Sequence, residues 1–132
     1  MGAAILKRWL TLLIACFTAV ATHAQTHVFL TAAEVDALAR GRNWSFVHPE
    51  NRGNVRWDLR ADGQAFGTND AFPADHIGSD NGTWVINAQG QLCLKWTVLW
   101  APRCVAVLKE GEKFKLFLSD DLRTVFAEML VR

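Results

Sequence analysis

The sequence has almost no surplus of charge and no run of basic residues. The 14 Lys and Arg side chains are opposed by 13 Asp and Glu, which gives a formal net charge of +1. Proteins that bind nucleic acid or anionic lipid carry a basic stripe or patch, and this chain has none. The composition therefore argues against a nucleic-acid partner and against electrostatic attachment to a membrane.

Catalytic and metal-binding motifs are missing as well. No Ser or Cys lies in a nucleophile motif, and His27, His48 and His76 are scattered along the chain. The irregular stretch 69–81 is rich in oxygen ligands, but its spacing matches no calcium-binding EF-hand loop. We predict no catalytic residue, no metal and no cofactor. The acidic, amide and imidazole side chains considered in that stretch are Asp70, Asp75, His76, Asp80 and Asn81.

The sequence also lacks an apolar run long enough to span a membrane. Its longest apolar run lies near the N-terminus. Residues 9–21 are uncharged and follow Lys7 and Arg8. This run of about 13 residues is shorter than the roughly 20 that a membrane-spanning helix needs. Thr22 and Ala24 then supply small residues at the −3 and −1 positions of a cleavage site, an order typical of a cleavable signal peptide.

We therefore expect residues 1–24 to be removed after Ala24. Residues 25–132 should then form a single domain that contains no transmembrane span and is periplasmic or secreted. Alternatively, the segment could be a lipoprotein signal peptide, since Leu13–Cys16 has the form of a lipobox. The segment after Cys16 stays apolar, however, which favours cleavage after Ala24 over lipidation at Cys16.

Removal of residues 1–24, which we call the leader, changes the cysteine count from three to two. The remaining pair, Cys93 and Cys104, would lie in an oxidising compartment, where an even count favours a disulfide. A metal site is much less favoured because the two thiols are eleven residues apart without a CxxC motif. We predict a Cys93–Cys104 disulfide.

The segment after the leader begins with a short helix. Thr31 and Glu34 have the spacing of a capping box, in which each side chain bonds the backbone of the other. Gly41 occupies the position at which a left-handed residue ends a helix. These signals predict a helix over residues 32–40.

Beyond Gly41, apolar and polar residues alternate with a period of two, which is typical of half-buried strands. Turn signals separate these runs, among them Asp62-Gly63, Gln89-Gly90, Glu110-Gly111 and Asp80-Asn81-Gly82. We predict a mainly β fold: a small antiparallel meander barrel or curved sheet of seven or eight strands, lipocalin-like in outline, preceded by one short helix. Residues 122–131 fit either a helix or an eighth strand, and we favour a closing strand.

The cysteines fit this scheme as a cross-strand pair. If Cys93 faces Cys104, then Leu92 pairs with Val105 and the tip of the hairpin falls at residues 97–100. A bridge at this position would fix the register of the hairpin, in which a slip of one residue would invert every side chain.

Several short motifs resemble those of a known family. A capped helix precedes Gly-x-x-Trp at Gly41, and Gly-Thr-Trp follows at Gly82. Gly-x-Leu-Cys at Gly90 precedes Trp96 and a second cysteine. The pattern covers residues 29–118 and resembles a family of short secreted proteins from Gram-negative bacteria whose function is uncharacterised. The resemblance implies a periplasmic location and supplies no catalytic residue.

Tryptophan is abundant, whereas tyrosine is absent. The chain has six Trp, one of them in the leader, and no Tyr. Four Trp at inward positions either fill the barrel or line a pocket for a sugar, a peptidoglycan fragment or an apolar ligand. The fifth, Trp100, lies at the apolar hairpin tip and suggests a contact surface or a lid. The candidate ligand-binding residues are Trp44, Trp57, Trp84, Trp96 and Trp100.

Three functions are compatible with these features. The first is a monomeric periplasmic binding or accessory protein for an unidentified envelope ligand or protein, which a pocket between Trp44, Trp57 and Trp84 would support. The second is an inhibitor of an envelope enzyme, acting through loop 97–102 or 69–81, which a sealed barrel with a projecting Trp100 would support. The third is an envelope hydrolase, which a cleft joining His76 to Asp75 or Asp80 would support.

Overall fold

Eight antiparallel strands close into a barrel in which the last strand pairs with the first. The computed structural model describes residues 28–73, 75, 77–118 and 121–132. Neighbours along the chain are neighbours in the sheet, and β1 also pairs with β8. The elements are α1 (Ala32–Ala39), β1 (Arg42–Val47), β2 (Asn54–Leu59), β3 (Gln64–Asn69), β4 (Ser79–Ile86), β5 (Leu92–Trp96), β6 (Arg103–Glu110), β7 (Lys113–Leu118) and β8 (Asp121–Val131).

The predicted fold class is confirmed, including the closing strand. β8 pairs with β7 on one side and with β1 on the other, where Phe46 lies opposite Met129. Closure removes the two unpaired edges that a curved sheet would leave exposed. The predicted signal peptide with cleavage after Ala24, the alternative lipidation at Cys16, and His27 and His76 lie outside the described residues.

The helix begins at its predicted cap. Thr31 Oγ1 accepts a hydrogen bond from the backbone N–H of Glu34 at 3.3 Å and donates to the Glu34 carboxylate at 2.9 Å. The helix ends at Ala39, one residue before the predicted end, and Gly41 has a φ of +71°. The local signals at both ends therefore produce the helix that they predicted.

Helix α1 covers one end of the barrel. Its Val35 and Ala39 are fully buried in the same apolar core as the strands. The Trp44 indole N–H donates to the Leu38 carbonyl at 2.9 Å, and the Trp84 indole N–H donates to the Arg60 carbonyl at 2.8 Å. Both tryptophans thus fill the helix-covered end, with their polar atoms bonded to backbone.

A second, smaller apolar cluster lies on the outside of the barrel. Phe29 forms a β-bridge with Leu108, and its ring meets Phe117 edge-on at 5.3 Å between centroids. This contact explains why Phe117 is buried although the alternation places it on the same face as Lys113 and Lys115.

The predicted turn at Asp80-Asn81-Gly82 is wrong, because these residues lie inside β4. A Cβ at Gly82 would clash with the Lys95 carbonyl and come within 3.0 Å of its carbon atom. The glycine therefore permits a close approach between β4 and β5 rather than a turn. The irregular segment that was predicted to extend to Asn81 ends at Gly78.

The predicted disulfide and its register are confirmed. Cys93 and Cys104 are bonded and face each other across β5 and β6, and Leu92 pairs with Val105. Among the residues that the structure describes, no helix is long and apolar enough to cross a bilayer.

Candidate functional site

A cavity opens at the end of the barrel opposite α1, which we call the mouth. Among the described residues, three segments contribute to its border: loop 48–53, the described part of the β3–β4 connection (70–73, 75, 77 and 78), which we call loop 70–78, and loop 97–102, which we call the tip loop. The cavity has a volume of about 300 Å³. Its aromatic lining is formed by Phe46, Trp57, Phe72, Trp96, Trp100 and Phe126, its aliphatic lining by Val55, Ile77, Leu99 and Ala101, and its polar lining by His48, Asn51, Asn69 and Arg103.

Five of the six aromatic rings that line the cavity form a continuous chain of contacts. Phe126 meets Phe46 at 5.6 Å between centroids, and Phe46 meets Trp57 at 4.8 Å. Trp57 lies 6.5 Å from Trp96, which in turn lies 4.8 Å from Trp100. All four contacts are edge-to-face or tilted, which presents a mixture of ring faces and edges to the cavity.

Trp100 turns toward the mouth rather than into solvent. Its indole N–H donates to the Ile77 carbonyl at 2.7 Å, which joins the tip loop to loop 70–78. A Cβ at Gly67 would clash with the Trp100 ring and lie 2.8 Å from Trp96 Cη2. The absence of a side chain at Gly67 therefore makes room for the two indoles.

The carboxylate of Asp80 holds the tip loop in place. One of its oxygens accepts from the backbone N–H groups of Leu99 and Trp100, at 2.9 and 3.0 Å. The other accepts from Asn81 at 2.8 Å and from Val98 at 3.2 Å. A single side chain from β4 thus fixes three consecutive amides of the tip loop.

Asp80 is only 3% exposed, and its charge is stabilised where it lies. Burial opposes ionisation, but the hydrogen bonds from Trp100, Leu99, Asn81 and Val98 outweigh it and lower the pKa of the carboxyl from its ordinary value of 3.8. Asp80 therefore remains an anion at neutral pH, as its cluster of N–H donors requires.

The amide and imidazole side chains of the mouth are bonded to neighbouring protein groups. His48 Nδ1 accepts from the backbone N–H of Glu50 at 3.2 Å. Asn51 Oδ1 accepts from Gly53 N at 2.9 Å and from Asn69 Nδ2 at 3.4 Å, and Asn69 Oδ1 accepts from Ala71 N at 3.0 Å. These bonds brace the loops around the mouth.

Among the described lining residues of the cavity, His48 and Arg103 are the two that can carry a charge. Burial, reinforced by the nearby Arg103 guanidinium, lowers the pKa of His48 from 6.5 against the opposing influence of Glu50, so the imidazole is neutral at pH 7 and above. The Arg103 guanidinium lies over the Phe126 ring at 4.4 Å from its centroid. No acidic side chain is among the described residues that line the cavity.

The structure divides the five candidate tryptophans between the two ends of the barrel. Trp57, Trp96 and Trp100 line the mouth cavity, whereas Trp44 and Trp84 lie at the end covered by α1. The expected pocket between Trp44, Trp57 and Trp84 is therefore replaced by one between Trp57, Trp96 and Trp100. Whether any of the five binds a ligand stays a prediction.

Sequence reasoning missed several residues of the mouth, namely Phe46, His48, Phe72, Arg103 and Phe126. Phe46 carried a usable signal, since it alternates with Trp44 on β1 and so had to face inward. Phe126 lies in the segment that fitted either a helix or a strand. The sequence alone therefore did not show which way its side chain faces, and the pairing of β8 with β1 does.

Within the described ranges, no three His, Cys, Asp or Glu side chains come together in a group that could hold a metal ion. His76 lies outside those ranges, and Asp80 is bonded to backbone amides. The cleft joining His76 to Asp75 or Asp80, which would support the hydrolase hypothesis, therefore stays a prediction.

Comparison with known proteins yields one family. The model of a family described as "Protein of unknown function (DUF995)" matches residues 9–110 of the chain. No curated protein matches the chain.

Proposed function

The chain belongs to the DUF995 family, and since that membership assigns no activity, we propose from the geometry of the mouth that the protein binds a small envelope ligand. One observation carries this proposal: an open cavity of about 300 Å³ walled by a continuous chain of aromatic rings. Ligand sites are typically concave and mostly apolar, with a few polar groups, and have volumes of about 300–1,000 Å³.

The construction of the mouth supports a binding role over simple filling of the core. The interior of an eight-stranded barrel is just wide enough to be filled by its own side chains or to hold one small ligand. Here the α1 end is filled, whereas Asp80 and the Trp100–Ile77 hydrogen bond hold loops around an open cavity. A preformed cavity lowers the entropic cost of binding, because the loops are already ordered.

We propose further that the protein acts outside the cytoplasm, as a periplasmic or secreted protein released by cleavage after Ala24. The Cys93–Cys104 disulfide is consistent with an extracytoplasmic location, because disulfides persist in oxidising compartments.

A second function, inhibition of an envelope enzyme, rests on the exposed apolar side chains of the tip loop. Val98 and Leu99 are 71% and 60% exposed, which is unusual at a hairpin tip. Trp100, however, contributes to the cavity rather than to this protrusion, so we place inhibition second.

The binding proposal is tested with a fragment collection that spans sugars, amino acids and aromatic compounds, monitored by the indole N–H signals of the protein in NMR spectra. We expect at least one chemical class to shift the signals of Trp96 and Trp100. Trp100→Ala should weaken that binding about tenfold, since a buried aromatic contact is worth about 1.4 kcal/mol or more.

Val98→Ala is the matched control, because Val98 lies on the same loop but outside the cavity lining. It should leave the affinity unchanged. A protein that binds no fragment, or one for which the two variants weaken binding equally, would contradict a ligand site at the mouth.

A further inference from the structure

The indole N–H groups of the barrel divide into two classes. Those of Trp44, Trp84 and Trp100 each donate to a backbone carbonyl. Among the described residues, no group accepts from the indole N–H of Trp57 or of Trp96. Buried tryptophans usually find an acceptor, because an N–H group that is removed from water without one costs free energy. The two exceptions both line the mouth cavity.

The indole N–H of Trp57 has to face open space. Trp57 is only 4% exposed, yet every fully enclosed side-chain nitrogen or oxygen of the described residues has a hydrogen-bond partner. Its nitrogen is therefore not fully enclosed, and the cavity that its ring lines is the space into which it can donate. Trp96, at 6.5 Å between ring centroids, is half-buried and lines the same cavity. The two indoles thus bring two available donors to one cavity.

Two further donors belong to the polar lining. His48 Nδ1 accepts from the backbone N–H groups of Glu50 and Asn51, at 3.2 and 3.4 Å. The neutral imidazole therefore carries its proton on Nε2, which can donate. Asn51 Oδ1 accepts from Gly53 and Asn69, so the Asn51 side-chain N–H groups can donate as well. Neither His48 Nε2 nor Asn51 Nδ2 has a partner among the described residues.

A ligand that fills the mouth has to offer acceptor atoms to these donors. An N–H group that loses its water on binding and gains no acceptor weakens the complex, whereas a carbonyl oxygen satisfies it. A carbonyl oxygen has two lone pairs and can accept from two donors at once. An acyl group, in which the carbonyl is flanked by carbon, therefore combines the acceptor that the indoles require with apolar surface for the aromatic lining.

The size of the cavity limits what can carry the acyl group. A volume of about 300 Å³ is at the lower end of the range for small-molecule sites, which is about 300–1,000 Å³. A single six-membered ring with a short substituent suits this volume. The edge-to-face contact between Trp96 and Trp100 is one that an inserted ring can continue.

We propose that the mouth binds a compact molecule through an acyl group carried by a ring, and that Trp57 and Trp96 donate their indole N–H groups to the carbonyl oxygen. This inference rests on the proposed binding function and specifies its ligand class. Aryl ketones and N-acetylated amino sugars share this chemistry, since both place a carbonyl oxygen and a methyl group beside a ring. His48 and Asn51 supply donors for further oxygens of the same ligand.

The test uses two pairs of probes whose members differ at the acyl group. Acetophenone is compared with α-methylstyrene, in which a CH₂ group replaces the carbonyl oxygen, and N-acetylglucosamine is compared with glucose. Titrations of the wild-type protein, followed by the indole N–H signals in NMR spectra, give the dissociation constants. We expect at least one acyl probe to move the N–H protons of Trp57 and Trp96 downfield, and its partner to lack that shift. The signals of Trp44 and Trp84 should not move, because their N–H groups are bonded at the other end of the barrel.

Trp96→Phe tests the donor itself, because it removes the N–H and keeps an aromatic ring at a half-buried position. The loss of ring contact weakens both members of a pair alike, so the ratio of their affinities reports the hydrogen bond. For the acyl probe that binds, its affinity relative to its partner should fall about tenfold, the scale of one hydrogen bond. Val98→Ala should leave this ratio unchanged. If Trp96→Phe does not fold, as judged by its thermal transition, the downfield shifts in the wild type decide the question.

The outcomes separate this inference from the proposed function. Binding of only the ketone or only the amino sugar supports the inference and identifies the source of the acyl group. Three results would overturn the inference and leave the binding function intact: equal affinity within both pairs, an unchanged ratio in folded Trp96→Phe, or fragments that bind at the mouth while neither acyl probe binds. No shift of the mouth indole signals by any probe or fragment would overturn the proposed function itself.

Discussion

Replacing Asp80 by asparagine should lower the free energy of unfolding by roughly 2–3 kcal/mol at neutral pH, the scale of hydrogen bonds to a buried charged group. The carboxylate accepts from four backbone N–H groups, three of them in the tip loop. Asparagine keeps one acceptor oxygen but places its own N–H₂ group against N–H donors. Chemical denaturation of the wild type and of the variant measures the difference.

The effect should depend on pH in one direction. The pKa of Asp80 is lower in the folded protein than its ordinary value of 3.8, so the stabilisation is fully present above that value. It is lost as the pH falls through the lower, native pKa. The stability gap between wild type and Asp80→Asn should therefore stay constant from pH 7 to about pH 5 and narrow under more acidic conditions.

Asp62→Asn is the matched control. Its carboxylate accepts one hydrogen bond, from Gln64 N at 3.0 Å in an exposed turn, and asparagine serves the same role there. This variant should change stability by less than about 0.5 kcal/mol. A similar loss in both variants, or a gap for Asp80→Asn that widens in acid, would refute the anchoring role of Asp80.

The strands and turns of the barrel could be predicted because their signals are local. Val55 and Trp57 alternate with charged residues along β2, and Gly63 marks the following turn with a φ of +89°. The disulfide register followed from the same alternation, since Cys93 could face Cys104 only if Leu92 paired with Val105. Each of these inferences depends on residues close together in sequence or on a single covalent bond.

The mouth could be predicted only in part because distant segments build it. Phe46 and Phe126 meet because β1 pairs with β8, and no local pattern encodes a contact between residues so far apart. Trp57, Trp96 and Trp100 were identified as aromatic candidates, but alternation alone could not divide the five tryptophans between the two ends of the barrel. That division depends on where α1 packs.

Asp80 illustrates a different difficulty. Asp-Asn-Gly is a common turn sequence, and the local rule assigned it to a turn. In the barrel, the glycine allows β5 to approach β4, while the Asp80 side chain bonds the tip loop. A turn favours Asp and Gly for their local conformations, whereas strand β4 needs Asp80 as a hydrogen-bond acceptor and Gly82 for its small size. The residue types are the same in both cases, so only the folded structure distinguishes the two.

Removing the disulfide should have the largest effect on stability. Replacing both Cys93 and Cys104 by alanine should cost about 3 kcal/mol, the chain-entropy value for the loop that this bridge closes. For a domain of this size, that loss corresponds to a fall in melting temperature of roughly 10–20 °C. The pairing between β5 and β6 is also short, since it extends only from Leu92 to Leu94 along β5. The disulfide therefore reinforces a strand pair that has few backbone hydrogen bonds.

The double variant and chemical reduction provide mutual controls. Reducing the wild type should bring its melting temperature close to that of the variant, and the variant itself should not respond to reductant. An unchanged wild-type midpoint, with two thiols reactive before reduction, would exclude the bridge. Because β5 and β6 carry the tip loop between them, reduction should also weaken fragment binding at the mouth at temperatures where the barrel is still folded. Stability and binding measured on the same reduced sample would then show whether the bridge supports only the barrel or also the geometry of its mouth.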